Sequence, residues 1–330
     1  MRFICAVTAA AALAIVSSAA THAQSPTGPA ATQTWPDKPV RIIVPYVAGG
    51  PTDAIARILS EKLGERWKQP TVIESRPGAG SNTGSTAVAR STPDGYTLLV
   101  NTTAIAVNQT LFKAPGYDTL KDFSAIINVA QAPNLILGTK SLKATTLKDA
   151  LEEARTGKLS YGSPGSGTTP HLTMEYLFKG LAKVDVVHVP FKGGGDMTTA
   201  ALSGAVQFAS GAVPTVFAIV ASGDTRGLGV TSNKRVAALP NVPTVAESGF
   251  KDFEDYTWIG FFAPSATPAA ITQKINADMN AVLQIADVRE RLTKIGFEIV
   301  GGDTASFTKY VEREIAKWAG VVKSIGINQL

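Results

Sequence analysis

The stretch VRIIVPYVAGGPTDAIARILSEKL, residues 40–63, has the pattern of a buried strand, a glycine-containing loop and an amphipathic helix. The apolar run 40–46 predicts the strand, because short β-branched runs bounded by turn residues are typical of buried strands. Pro51 suits the first turn of the helix. Apolar residues then recur at helical spacing, at Ala54, Ile55, Ile58, Leu59 and Leu63. The stretch therefore predicts one strand–loop–helix unit.

The same unit recurs along the chain. Further strand patterns lie at 71–74, 96–101, 135–138, 159–163, 184–189, 206–209, 227–231 and 297–300, and an apolar run lies at 258–263. Helical patterns lie between or after them, for example at 147–155, 169–181, 197–203, 267–283, 287–295 and 304–324. Alternating strands and helices predict an α/β protein with parallel, doubly wound sheets, which bind ligands at the carboxyl ends of their strands.

Composition excludes several function classes. The 330 residues are 45% apolar and 17% charged, which indicates a folded chain of roughly two domains. The net charge of +5 is scattered, with no basic run containing aromatic residues, so we expect no nucleic-acid partner. The single cysteine, Cys5, excludes a disulfide framework, a redox pair and a thiolate metal site. We expect neither a metal nor a cofactor.

The first 23 residues have the pattern of a secretory signal peptide. Arg2 precedes the apolar run 3–16, and Thr21 and Ala23 occupy the −3 and −1 positions of a cleavage site before Gln24. The alternative is a membrane anchor, which is disfavoured because the run is shorter than the about 20 residues a bilayer requires. Residues 24–34 are small and polar, and we interpret them as a flexible leader.

Three glycine-containing loops each follow a strand pattern and lead into a helix pattern. They lie at 47–53, 76–82 and 163–169, and the segments 189–195 and 209–214 have a similar form. Glycine lets backbone N–H groups approach a ligand, and a helix start adds partial positive charge. One such loop alone is explained by a tight turn. Several in one chain favour a site for a carboxylate or phosphate.

Other chemistry is less well supported. Gly78, Gly80 and Gly84 form a GxGxxxG near-match to a dinucleotide fingerprint, but no acidic residue ends the next strand pattern. His171 and Glu175 lie four residues apart on one helix, which is half of a metal site.

A hydrolase remains an alternative. It would use Ser163 or Ser166 as nucleophile with His171 as base.

These motifs resemble the tripartite tricarboxylate transporter substrate-binding receptors, known as the Bug family. The similar segments are WPDKPVRIIVPYVAGGPTDAIAR (35–57), ESRPGAGSNTG (74–84), YGSPGSGTTPHLTMEYL (161–177), HVPFKGGGD (188–196), LPNVPTVAESGF (239–250) and residues 288–327 with Trp318. The sequence departs from the family at Ala48, where proline is usual, and at Ser75, where asparagine is common.

The resemblance implies a type II periplasmic binding-protein fold, with two α/β lobes joined by crossing segments near 123–134 and 255–264. Lobe one would comprise 35–123 and 264–330, and lobe two 124–263. It also implies a monomeric periplasmic receptor, not an enzyme, that delivers a small organic carboxylate to integral membrane permease subunits. A sensory module that serves a membrane kinase is an alternative with the same fold.

The resemblance also implies the residues that hold the ligand, through amides and hydroxyls. They are Tyr46, Ala48, Gly49, Gly50, Thr52, Asp53, Gly78, Ala79, Gly80, Ser163, Ser166, Gly167, Thr168, Thr169, His171, Lys192 and Gly193. Because Lys192 and Arg76 are the few cations near these loops, we expect a mono- or dicarboxylate rather than a tricarboxylate.

Overall fold

A computed structural model describes residues 35–326 and Gln329. The chain divides into the units Met1–Trp35 and Pro36–Leu330, and all of the described helices and strands belong to the second. The predicted signal peptide, 1–23, and the predicted leader, 24–34, lie outside the described residues. Within those residues, no helix combines the length and the apolar character needed to cross a membrane.

The described residues form ten strands and eleven α-helices. The strands are β1 (Val40–Val44), β2 (Thr71–Ser75), β3 (Thr97–Thr102), β4 (Phe123–Gly138), β5 (Ser160–Ser163), β6 (Val187–Pro190), β7 (Phe208–Ala212), β8 (Arg226–Val230), β9 (Tyr256–Pro264) and β10 (Glu298–Ile299). The helices are α1 (Pro51–Trp67), α2 (Asn82–Ala89), α3 (Ala104–Leu111), α4 (Thr119–Asp122), α5 (Leu147–Thr156), α6 (Thr169–Glu175), α7 (Gly194–Ser203), α8 (Val213–Ala221), α9 (Ala269–Leu283), α10 (Ala286–Lys294) and α11 (Thr304–Ile325). A 3₁₀ turn, Ala79–Ser81, precedes α2, and a π-helical segment, Tyr176–Ala182, continues α6.

The strands form one mixed sheet in the order β2-β1-β3-β9-β4-β7-β5-β6, with β8 and β10 also paired to β4. β1 is parallel to β2 and β3, and β5 is parallel to β6 and β7, as the alternating pattern predicts. The strands between these two groups differ from the prediction of parallel sheets. β9 is antiparallel to both β3 and β4. This follows because the two long strands, β4 and β9, each run from one parallel group of strands toward the other.

Local sequence explains where the helices begin and end. Pro51 occupies the first turn of α1, and Ile55, Leu59 and Leu63 of the predicted apolar stripe are fully buried. Asp303 caps α11 by accepting a hydrogen bond of 2.7 Å from the N–H of Ser306, and the helix ends at Gly326 with φ +63°.

Buried side chains lie on both sides of the sheet's central strands. Trp258 on β9 and Trp318 on α11 each donate a hydrogen bond to the buried Glu314, at 3.0 and 3.1 Å. A second cluster brings Leu172 of α6 against Val107 of α3 and Trp318. Since α6 begins directly after the 163–169 loop, this packing fixes the position of one predicted ligand loop.

Gly84 of α2 allows the helix to pack directly against the end of β1. A Cβ atom at this position would lie 2.7 Å from the Cβ of Pro45 and 2.9 Å from the carbonyl oxygen of Arg76. The last glycine of the GxGxxxG pattern therefore serves helix–strand packing.

We predict that Gly84→Ala lowers the free energy of unfolding by about 1–3 kcal/mol, because the added methyl overpacks this contact. Urea denaturation measures the effect. Gly320→Ala is the matched control, since Gly320 lies inside α11 and a Cβ at this position would meet nothing within 4 Å. The control should gain roughly 0.5–1 kcal/mol from helix propensity. Equal effects of both substitutions would contradict the packing argument.

Candidate functional site

A cavity of about 460 Å³ lies where the loops that follow β1, β2, β5 and β6 meet. We call it the main cavity. Most of the predicted ligand residues line it: Tyr46, Gly50, Thr52, Gly78, Ala79, Gly80, Ser166, Thr168, Thr169, Lys192 and Gly193. Ala48 and Gly49 line an adjoining cavity instead. Asp53, Ser163, Gly167 and His171 line neither of these two cavities.

Tyr46 follows β1 and Pro45, and its hydroxyl is hydrogen-bonded to the end of β3. The hydroxyl donates to Oδ1 of Asn101 at 2.8 Å and lies 2.8 Å from Oγ1 of Thr102. Burial raises the pKa of Tyr46, and the hydrogen bonds from Thr102 and Ser81 offset only part of that rise. The phenol is therefore neutral and offers the cavity hydrogen-bonding groups without charge.

Asp53 stabilises the first loop from beneath. Its Oδ2 accepts hydrogen bonds from the N–H of Gly49 at 3.0 Å and from Nε of Arg57 at 2.9 Å. Burial acts to raise the pKa of Asp53, but these hydrogen bonds and the positive charge of Arg57 outweigh it, so the pKa lies below its usual value. The carboxylate is charged, and it shapes the loop.

The second loop has an uncommon backbone conformation. Gly78, Ala79, Gly80 and Ser81 all have positive φ, at +139°, +47°, +61° and +84°. A positive φ costs a residue with a Cβ about 1–2 kcal/mol, so Ala79 and Ser81 are strained.

Asn108 of α3 holds this strained loop in place. Its Nδ2 donates to the carbonyl oxygen of Gly80 and to Oδ1 of Asn82, both at 2.7 Å. A Cβ on Gly80 would lie 3.1 Å from Cζ of Phe112, which also lines the main cavity. The loop backbone therefore approaches the cavity wall closely because residue 80 has no side chain.

The third loop is supported by two stacked histidines. The rings of His171 and His188 lie 4.0 Å apart at 24°, and Tyr161 stacks on the other side of His188 at 4.8 Å. The N–H of Gly167 donates to Nδ1 of His171 at 3.2 Å, so this nitrogen carries no proton. Oγ of Ser163 lies 2.7 Å from Nε2 of His188.

Both imidazoles are neutral. Burial is the largest cause that lowers the pKa of His171 to about 3, followed by repulsion from His188 once it is protonated and from the charge of Lys179. Burial and Lys179 lower the pKa of His188 to about 4.

The histidine geometry differs from the hydrolase alternative. Ser163 is fully buried and its hydroxyl faces His188 rather than His171. The parallel pairing of β5 and β6 causes this, because it places Tyr161 beside His188 and directs Ser163 to the same side. Nδ1 of His171 is occupied by the loop backbone.

The main cavity carries little charge. Of the described residues that line it, Lys192 alone has a charged side chain. Hydroxyl groups supply most of the side-chain polarity, and Oγ1 of Thr169 is buried without a hydrogen-bond partner among the described residues. Those residues also contain no cluster of three or more His, Cys, Asp or Glu side chains arranged to hold a metal ion. The arrangement can bind an anion through backbone N–H groups and hydroxyls.

Several lining residues are not among the residues predicted to hold the ligand, although Ser81 and Phe191 belong to predicted loops. They are Ser81, Thr102, Phe112, Phe191, Thr215, Thr257, Ile259 and Phe297. Thr102 ends β3 and Thr215 closely follows β7, so the rule that ligands bind beyond strand ends could have found both. Thr257 lies on β9 and Phe297 follows Gly296 after α10, so both lie outside the predicted ligand loops.

The sequence matches the family described as tripartite tricarboxylate transporter family receptor over residues 55–327. The chain belongs to this receptor family. The resemblance to the Bug family is therefore confirmed, and so is the α/β fold class, since solved neighbours are periplasmic binding proteins. The family supports a periplasmic solute-binding role over the hydrolase and the kinase-linked sensor.

Three solved structures illustrate the similarity of this receptor. The periplasmic binding protein BugD is 30% identical, with a TM-score of 0.82 over 90% of this chain and 100% of its own. Rpa4515 of R. palustris, solved with adipate, is 35% identical, with a TM-score of 0.83 over 90% of this chain and 100% of its own. MatC from Rhodopseudomonas palustris, solved with bound malate, is 31% identical, with a TM-score of 0.79 over 87% of this chain and 99% of its own.

The buried histidine pair predicts a stability that falls in mild acid. Below the unfolded pKa of about 6.5, the unfolded chain binds protons that the folded chain excludes. The free energy of unfolding should therefore decrease as the pH drops from about 6.5 to the folded pKa values, about 4 for His188 and about 3 for His171. At pH 5 the loss from His171 alone is roughly 2 kcal/mol.

Urea denaturation at pH 7.5 and pH 5 measures this loss. The His171→Asn, His188→Asn variant is the comparison, since it retains all carboxylates but lacks the described imidazoles. Its pH dependence should be flatter than that of the unmodified protein. Equal slopes would show that the histidines are not held neutral.

Proposed function

We propose that this receptor captures a small organic carboxylate in the main cavity and delivers it to integral membrane permease subunits of a tripartite tricarboxylate-type transporter. The observation that carries the proposal is the meeting of three helix-preceding loops at one cavity. Backbone N–H groups at helix starts favour an anion, and the surrounding hydroxyls can donate to its oxygens. The solved neighbours with adipate and malate support the same ligand class.

The predicted residues would have three roles. Those that line the main cavity, including Gly80, Ser166 and Lys192, would contact the ligand. Other predicted residues would not contact the ligand but would hold the loops in place through hydrogen bonds. These are Asp53, Ser163, Gly167 and His171. Ala48 and Gly49 would shape the entrance from the adjoining cavity.

Capture would occur by closure of two lobes, 35–123 with 264–330 and 124–263. A ligand that contacts both lobes only when they are closed stabilises the closed state. The protein would act as a monomer in the periplasm after removal of residues 1–23, and it would bind without catalysis.

A mono- or dicarboxylate fits this cavity better than a tricarboxylate. Lys192 is the one charged side chain among the described lining residues, and it is exposed. A ligand with three negative charges would lose much hydration and gain a single cation in return. Backbone N–H groups can hold one or two carboxylates without further cations.

Thermal shift with refolded, ligand-free protein tests the ligand class. Adipate, malate, succinate and propanoate are compared with inorganic phosphate and a neutral sugar. A carboxylate at 100 times its Kd should stabilise the folded protein by about 2.7 kcal/mol. If no carboxylate raises the melting temperature, the proposed function is wrong. Turnover of carboxylate esters by the same sample would contradict binding without catalysis.

We predict that Lys192→Gln weakens carboxylate binding by about two- to fivefold at low salt, because an exposed ion pair contributes little. The difference should shrink in 0.5 M NaCl, where screening is strong. Isothermal titration calorimetry measures both values. Lys143→Gln is the matched control, since Lys143 is an exposed lysine that lines neither cavity. A hundredfold loss would instead indicate that side-chain charge, rather than backbone, holds the ligand.

A further inference from the structure

A second cavity, of about 710 Å³, adjoins the main cavity. The two cavities are continuous because they share eight lining residues. These are Val47, Gly50, Pro51, Lys192, Gly193, Gly194, Thr215 and Phe297. A molecule held by the loops of the main cavity can therefore extend into the second one.

The second cavity has walls from well-separated parts of the chain. Val47 and Ala54 come from the first loop and α1, whereas Phe217 comes from α8. The connection between α10 and β10 closes one side. A Cβ on Gly296 would lie 3.3 Å from Cγ of Pro214, so this connection contacts the start of α8.

The walls of the second cavity are mostly apolar. Their side chains include Val47, Ala54, Val213, Pro214, Phe217, Val236, Ala238, Ile295 and Phe297. Val47 is 57% exposed and Phe217 is 36% exposed, which is high for large apolar side chains at a concave surface. Among the described residues that line this cavity, only Lys192, Asp196 and Lys294 are charged.

We propose that the ligand is an elongated carboxylate whose anionic end occupies the main cavity and whose apolar chain or aromatic ring occupies the second cavity. This inference rests on the proposed function and adds the chemical class of the ligand's body. The continuity of the two cavities and the lining of the second one support it, since apolar side chains form most of the second cavity's surface and leave room for a body beyond the loops.

The apolar body would gain affinity by leaving water. Each methylene group that moves from water to an apolar surface contributes about fourfold in affinity, from the usual transfer free energy of a CH₂ group. Val47 and Phe217 would lose exposure in the same step. Affinity should therefore rise with chain length until the second cavity is filled.

Calorimetry with propanoate, hexanoate, octanoate and 4-phenylbutanoate tests this inference. We expect the Kd to fall from propanoate to octanoate by at least 30-fold, and 4-phenylbutanoate to bind at least tenfold more tightly than propanoate. Equal Kd values across the series would overturn the inference and leave the proposed function intact. If none of these carboxylates binds, and adipate, malate and succinate do not bind either, both this inference and the proposed function are overturned.

Phe217→Ser tests the location of the apolar body. Phe217 lines the second cavity but not the main one, so the substitution should reduce the propanoate-to-octanoate ratio of Kd values by about tenfold. Leu202→Ser is the matched control, since Leu202 on α7 is similarly exposed, at 38%, and lines neither cavity. It should leave the ratio as in the unmodified protein.

Ala54→Leu provides a second variant that fills the cavity instead of removing a wall. Ala54 lines the second cavity only, and leucine is a good helix former at its position in α1. It should lower the ratio as well, with circular dichroism confirming the fold. If neither Phe217→Ser nor Ala54→Leu changes the propanoate-to-octanoate ratio of Kd values, the ligand's hydrocarbon chain does not occupy the second cavity, and the inference is overturned.

Discussion

Hydrogen bonds between β4 and β9 join residues 123–133 to residues 256–264 in one antiparallel ladder, and both strand groups are attached to this ladder. β9 continues the pairing to β3 on one side. β4 continues beyond it to pair with β7 and β8. The loops that surround the main cavity extend from the two groups, so their separation depends on these two strands.

A buried polar network ties the third loop to the same ladder. Asn134, where β4 leaves β9 for β7, donates to Oδ1 of Asp255 at 2.6 Å and accepts from the hydroxyl of Thr257 at 2.9 Å. Thr173 of α6 donates to the other carboxylate oxygen of Asp255 at 2.7 Å. Burial raises the pKa of Asp255 despite these bonds and the charge of Lys317. A shift of the crossing strands would therefore move α6 and the loop before it.

Hydrophobic periodicity predicted two kinds of element. One kind is a short strand that is almost completely buried, such as β1, and the other is a helix that is buried on one face, such as α1. It missed α3 and α8, because both begin directly after a strand with small or apolar residues and lack a polar stripe. It predicted only residues 135–138 of β4, since Pro133 and Asn134 interrupt an apolar run. The continuous strand exists because its two halves pair with different neighbours, and no local signal carries that information.

The candidate site shows the same limit. Motif position indicated loops that meet at one cavity, since most of the predicted residues line the main cavity. It did not indicate which side chains of a loop face inward. Ser163 and His171 lie within or next to a lining loop, but strand pairing and helix packing turn them toward His188 and Gly167. Phe297 enters from the far end of the chain, so only tertiary structure reveals it.

An anion site built from backbone N–H groups has a consequence for ligand selectivity. Every residue except proline offers the same N–H group, so such a site tolerates side-chain substitution and binds the carboxylate group of different ligands in the same way. In the proposed site, discrimination would then come from the walls beyond the carboxylate, where Phe112, Phe191 and Thr257 line the main cavity and Phe217 the second. The solved neighbours with adipate and malate share only 35% and 31% identity with this chain, so relatives can keep the fold while most side chains differ. In the proposed site, the loops would therefore set the ligand's charged end, and the apolar walls would set its length.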